Sequence, residues 1–291
     1  MQNANKKLNQ NAVRNILLRA IRPFIRRSLG VGRFAHSPIR LFLYFLFLFF
    51  AACYEPRDGC LEIEATNFDA SADKNCCCTY PEFKLSLLPR FDTLVWKPDT
   101  AYEYAPGQWF RLRQAVFYLS NFQLEMQSEL LSVSDTVNLS VWGGAGDTTK
   151  QVFVDDFALF RRTVVDYTIG SFRPSGTIES LRFHLGLPDS AQQIIPELVP
   201  EGHPLRLQNE NLWLDRSTGY AALKLVLTRD TLSTTAPDTL YFSRPEFNSL
   251  VIQQNGPFQH ESGYDFTLKL TADFREMFRN VDLSGGDKSV W

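Results

Sequence analysis

After residue 78 this 291-residue chain contains no cysteine, and it has only four histidines and three methionines in all. A thiol nucleophile or a disulfide is thereby excluded from its last 213 residues. Met126 and Met277 stand far apart in sequence, which argues against a thioether cluster for a soft metal. No HExxH, nucleophile elbow or phosphate-cradling glycine loop is present, so nothing points to a zinc protease, a serine hydrolase or a P-loop enzyme. Acidic neighbours such as Asp155 with Asp156, or Asp230 with Asp238, fall near turns and read as solvated acids rather than a glycosidase pair. The chain therefore reads as a non-enzyme. Helical periodicity is weak too: only 189–198 and 273–281 suit short helices, and Pro196 interrupts the first.

What is present begins with an export signal. Nine Lys/Arg and no acid precede the end of residues 41–52, LFLYFLFLFFAA, which run directly into Cys53. A basic flank, a short apolar core and small residues are the grammar of a secretory leader. The core falls short of the about 20 residues a bilayer span needs. Alanines leading straight into a cysteine point to a bacterial lipoprotein, with residues 1–52 removed and Cys53 lipidated. The expected place is the cell envelope, as an outer-membrane lipoprotein facing the periplasm or the cell surface, with the membrane met through the lipid anchor. Removal of the leader turns a net charge of −2 into 21 basic against 32 acidic residues, or −11. That balance argues against nucleic acid as a partner, because backbone binding rests on Lys/Arg neutralising phosphates.

Residues 53–82 form a cysteine-rich neck. With Cys53 assigned to lipid, Cys60, Cys76, Cys77 and Cys78 are disulfide candidates in an oxidising compartment. The expected link ties Cys60 to one member of the cluster, and the sequence leaves open which one. Closing such a loop is worth about 3 kcal/mol by chain-entropy arguments. Gly59-Cys60, Ala65-Thr66-Asn67-Phe68-Asp69 and Cys78-Thr79-Tyr80-Pro81 together resemble a short cysteine-bounded module of exported Bacteroidetes-type proteins. Glu62, Glu64, Asp69 and Asp73 offer oxygens for calcium, although their spacing is not that of an EF-hand, and a stapled solvated spacer is the other reading. A four-cysteine zinc site is disfavoured, because three adjacent residues seldom aim at one tetrahedral ion.

Residues 83–283 read as one domain, followed by a tail at 284–291. Alternation of apolar and polar residues predicts strands at 83–88, 109–126, 136–142, 177–187, 220–228, 239–244, 248–254 and 264–274. Many short strands with turn chemistry between them predict an all-β chain, an antiparallel β-sandwich preceded by the stapled neck.

Four dispersed motifs carry a family resemblance. Phe117-Tyr118-Leu119-Ser120-Asn121-Phe122-Gln123-Leu124 is entered through Phe110 and Leu112, which alternate with Arg111 and Arg113. Ile178 to Leu187, with Phe183-His184-Leu185-Gly186-Leu187 at its end, comes second. Asn211-Leu212-Trp213 with Gly219-Tyr220 is third, and Thr271-Ala272-Asp273-Phe274 with Val281-Asp282-Leu283 is fourth. In content and order they resemble the MbnP-like family of exported copper-binding proteins, over essentially the whole domain. That resemblance implies a β-sandwich, copper as cofactor and, for some members, a dihaem peroxidase-like partner that oxidises a tryptophan. Trp213 is then the position for an oxidised tryptophan; Asp215 stands where the family usually has a second Trp, and Leu212 where it has Tyr.

Copper needs imidazole, thioether or thiolate donors. His36 lies in the leader, which leaves His184, His203 and His260 as candidate ligands. The competing expectation is a non-catalytic structural sandwich that has lost the metal, or a glycan binder using Trp109, Trp142 and Trp213.

Overall fold

The computed structural model describes residues 55–133, 135–144, 146–210, 212–229, 236–243 and 251–278. The leader 1–52, Cys53, Asn211, Asp230, Val281 to Leu283 and the tail 284–291 lie outside them. The described residues from Pro56 onward belong to one compact unit.

The fold is all-β, two facing sheets with a further layer outside. The strand Glu82–Phe91 shows why: its burial alternates without a break, putting Phe83, Leu85, Leu87 and Phe91 inward. It centres a four-stranded sheet, flanked by Asp166–Ser171 and Phe266–Asp273, with Leu94–Val95 at its end. Pairing with Phe266–Asp273 is parallel, the one departure from the expected antiparallel pattern within the two sandwich sheets. The facing sheet has eight strands and is built around Gln108–Met126, which pairs with Leu223–Thr228 on one side and Gly176–Leu185 on the other. Between the sheets, Phe83, Leu85, Phe266 and Leu268 meet Phe117, Leu119, Phe122, Phe183 and Leu225 in one continuous apolar core.

The long strand Gln108–Met126 does not keep one parity. Its inner residues are Phe110 and Leu112, then Ala115, Phe117 and Leu119, then Phe122, Leu124 and Met126. Each change of parity marks an extra residue in the ladder. The first falls where partners jump from Gln114 to Leu112, and the second where Arg182 faces Gln123 but His184 faces Ser120. An inserted residue bulges the strand and flips every later side chain. At the second bulge Asn121 takes the left-handed backbone, φ 54°, a conformation that asparagine tolerates better than most residues.

Because its middle stretch is buried on both faces, the long strand needs cover outside as well. Val116 and Tyr118 point into a second core with Leu139, Val141, Phe153, Leu187, Ile194, Leu205 and Tyr220. The cover consists of the hairpin Thr136–Trp142 with Thr148–Val154, two 3₁₀ turns at Asp189–Gln193 and Pro196–Leu198, and the irregular stretch leading to Gly219–Tyr220. The expected helix at 189–198 is thus two short turns, the second opening at Pro196, as proline's missing N–H dictates. Of the second expected helix, Phe274–Phe278 is α-helical, with Phe274 and Phe278 in the main core.

In the neck the disulfide joins Cys60 to Cys78, eighteen residues apart, leaving Cys76 and Cys77 as free thiols. The strand Asp58–Gly59 runs parallel to Lys74–Asn75 beside it. Neck and sandwich are joined directly: Ser262 Oγ donates to Ile63 O at 3.1 Å, and the Arg173 guanidinium lies 3.9 Å from the Tyr80 ring centre.

Candidate functional site

Each candidate histidine has a definite partner. His260, 4% exposed, directs Nδ1 at Pro174 O (2.6 Å) and Nε2 at Tyr264 O (3.0 Å), so both ring nitrogens face backbone carbonyls. His184 lies on the outer face of Gly176–Leu185, with Nε2 3.1 Å from the Asn121 amide nitrogen. His260 pairs with Gly176, eight residues along the ladder from His184. At strand rise that is about 26 Å, too far for one ion. The three histidines do not meet in one place.

His203 has the richest setting. Its Nδ1 accepts the Leu205 N–H at 3.1 Å, which assigns the neutral ring's proton to Nε2, 3.1 Å from Asp155 Oδ1. The loop carrying it has no regular structure, and two tyrosine hydroxyls hold it. Tyr118 donates to Pro204 O at 3.3 Å and Tyr220 to Leu205 O at 2.6 Å. Burial pushes both phenols well above their ordinary range, so they act as neutral donors. Tyr118 and Tyr220 belong to two of the motifs that carry the family resemblance. In this fold those motifs position the His203 loop.

Two polar clefts, about 570 and 540 Å³, meet at this point and share Phe157, Thr168, Gly202, His203 and Pro204. One contains the Arg161–Glu210 ion pair (3.0 Å) and Asp166; the other contains Asp135, Asp155 and Glu82.

Asp156 is the residue that sequence reading missed. It was expected to be solvated, yet it is 5% exposed, and its Oδ2 accepts the Phe122 N–H at 2.8 Å. The Asn121 N–H bonds the same carboxylate, so Asp156 satisfies the amides that the bulge takes out of the ladder. Burial pushes its carboxyl up to about 6, against the opposing pull of those amides. Asp155 beside it is partly exposed and faces His203. A chain of contacts therefore runs from His184 through Asn121 and the adjacent acids to His203. The one available sequence signal was the position of Asp156 directly before the apolar run Phe157-Ala158-Leu159-Phe160.

Trp213 is half-buried against the second core, its ring edge-on to Tyr220 at 4.9 Å between centres. Asp215 closes the following turn, accepting Ser217 N–H (2.8 Å), Ser217 Oγ–H (2.6 Å) and Thr218 N–H (2.7 Å), which gives this acid a structural reason. The Ser217 hydroxyl is the main cause holding its carboxyl below the ordinary range. Trp142 is capped by the Arg216 guanidinium at 4.4 Å, while Trp109 is 45% exposed.

Among the described residues no three His, Cys, Asp or Glu side chains are gathered to hold a metal. His203 with Asp155 is therefore a two-donor set, short of the copper centre that the resemblance implies. The neck acids engage the chain's own donors: Asp69 binds Ser71, Asp73 the Arg57 N–H, and Glu62 the Tyr80 hydroxyl and Asn75. No family profile, no curated protein and no solved structure matches this chain.

Proposed function

We propose that this is an exported, lipid-anchored envelope protein of MbnP-like character that binds rather than catalyses, with copper(II) held at His203 and Asp155. The observation that carries the binding half is the imidazole–carboxylate pair at 3.1 Å where two polar clefts meet. An imidazole suits copper, and a carboxylate is a donor to the harder divalent ion; binding moves the His203 ring proton from Nε2 to Nδ1, which gives up the Leu205 N–H bond and frees the Nε2 lone pair beside Asp155 for the ion. The hydroxyl bonds of Tyr118 and Tyr220 fix the loop beforehand, which lowers the ordering cost of binding. Copper(II) titrated into the full chain in detergent, its thiols alkylated first, is expected to bind at one equivalent. His203→Ala is expected to weaken that binding at least ~10-fold, about 1.4 kcal/mol. His260→Ala, whose ring is committed to two carbonyls, is expected to leave it unchanged. The anchoring half is tested by metabolic labelling with a fatty acid, expected on wild type and lost in Cys53→Ala.

A second reading is favoured by Trp109, an exposed indole in a protein whose candidate ligands are separated. No copper uptake by wild type, together with glycan binding lost in Trp109→Ala, would establish a metal-free glycan-binding sandwich in its place.

A further inference from the structure

Along one side the two sandwich sheets do not close. Val251–His260 is the last strand of the larger sheet on that side, and Phe266–Asp273 the last of the smaller. The inward residues of Phe266–Asp273 are Phe266, Leu268, Leu270 and Ala272; the first two are buried, the last two only half-buried. On the other strand Ile252 pairs with Phe183 and Gln254 with Leu181, so both share the inward face, yet both are exposed. Residues placed for a core thus lack a facing partner. Between the strands lies a cavity of about 550 Å³, with the buried Phe117, Leu119 and Leu225 at its base and the exposed Ile252 and Met277 at its mouth. His203 belongs to the opposite face of the long strand, where Val116 and Tyr118 enter the second core.

We infer that this cavity binds one uncharged, hydroxyl-ended long-chain lipid, chain inward and hydroxyl at the mouth. An apolar cavity of about 150 Å³ admits a benzene ring, so the volume here admits a chain of about 12–20 carbons. Burying that chain removes apolar surface of both partners from water. Polar groups are confined to Gln254, Thr271 and Asp273, the small polar set that orients a ligand in an apolar pocket. Charge then selects the head group. The described residues lining the cavity include no Lys, Arg or His, and Asp273 is their one ionisable side chain. Its Oδ1 accepts the Asp92 and Arg275 N–H groups, both at 2.9 Å, which keeps the carboxylate in place. A fatty-acid anion meets a like charge there with no cation lining the cavity to pair it. A hydroxyl instead can donate to the Gln254 carbonyl or to the carboxylate. The cavity is separate from His203, so it neither requires nor supports the copper(II) reading.

The test uses the full chain in a bile-salt detergent, which has no acyl chain to compete, and hexadecanol with a photoreactive diazirine midway along its chain. After irradiation, peptide mass is expected to place the label within residues 117–119, 183–185 or 270–278. Excess plain hexadecanol is expected to suppress it, and hexadecanoate at neutral pH to compete at least ~10-fold less well. Ala272→Phe puts a ring into the open space and is expected to cut labelling at least ~10-fold, with circular dichroism like that of wild type. Gln254→Lys, at an exposed position that leaves the core untouched, is expected to bring hexadecanoate up to the level of hexadecanol. The inference is overturned if wild type carries no label in those segments, or if folded Ala272→Phe is labelled as wild type is. Equal competition by hexadecanoate and hexadecanol in wild type overturns the choice of an uncharged head group, as does a Gln254→Lys variant that keeps the wild-type preference.

Discussion

Replacing Phe122 with alanine is expected to destabilise the protein by about 3–5 kcal/mol, the range found for large aromatic truncations in well-packed cores. Phe122 is 1% exposed, stacks on Phe183 at 5.2 Å and meets Phe83 of the facing sheet edge-on at 6.0 Å. It thus joins the two sheets at the point where the long strand bulges. The neighbours are rigid aromatic rings on regular strands, so collapse into the vacated space is limited. Chemical denaturation by urea, followed by tryptophan fluorescence, measures the loss. A change below about 1 kcal/mol would mean that the two sheets do not close over this ring as described.

The second large effect is on pH. Asp156 holds its proton to about 6 in the folded protein, against an ordinary 3.8. Between those values the native state binds more protons than the unfolded chain, so stability falls as pH rises. The group's contribution is fully favourable below about pH 4 and is lost once pH has passed through 6, a total of about 3 kcal/mol. Asp156→Asn keeps an acceptor for the bulge amides but has no charge to desolvate. Its stability is expected to lack this fall, leaving it more stable than wild type by up to about 3 kcal/mol at neutral pH. Urea midpoints of both proteins across that pH range give the difference directly. Parallel curves would show that the carboxyl is solvated when ionised.

How much of this was legible in the sequence depended on periodicity. Glu82–Phe91 alternates strictly, and its position and facing follow from that alone. Thr148–Val154 buries only Phe153, so its pattern holds no apolar stripe, and Asp166–Ser171 offers just Tyr167 and Ile169 before its register shifts at Gly170. The run 109–126 was legible as a strand, but its two changes of parity are what a bulge looks like in sequence. The site was less legible still. Asp156 meets amides 34 residues away, and no local pattern encodes such a partner. His203 lies in a loop held by hydroxyl-to-carbonyl bonds, which require only a tyrosine and an exposed carbonyl and so leave no spacing to read. The cysteine pairing was narrowed to three choices by loop closure. The parallel contact of Asp58–Gly59 with Lys74–Asn75 brings Cys60 alongside the cluster, and only coordinates resolve which sulfur it meets.

The neck also has a mechanical meaning. Tension applied at the amino-terminal end of the described chain reaches the Cys60–Cys78 covalent link after only the short Asp58–Gly59 pairing. From Cys78 the load passes through Thr79, Tyr80 and Pro81 into Glu82–Phe91, the central strand of the smaller sheet. That strand runs parallel to Phe266–Asp273 across eight paired residues, Phe83 with Phe266 through Arg90 with Asp273. A pull along it shears these hydrogen bonds together instead of unzipping them one at a time. If Cys53 carries the proposed lipid, load from that anchor would meet the covalent staple first and the parallel pair, in shear, after it.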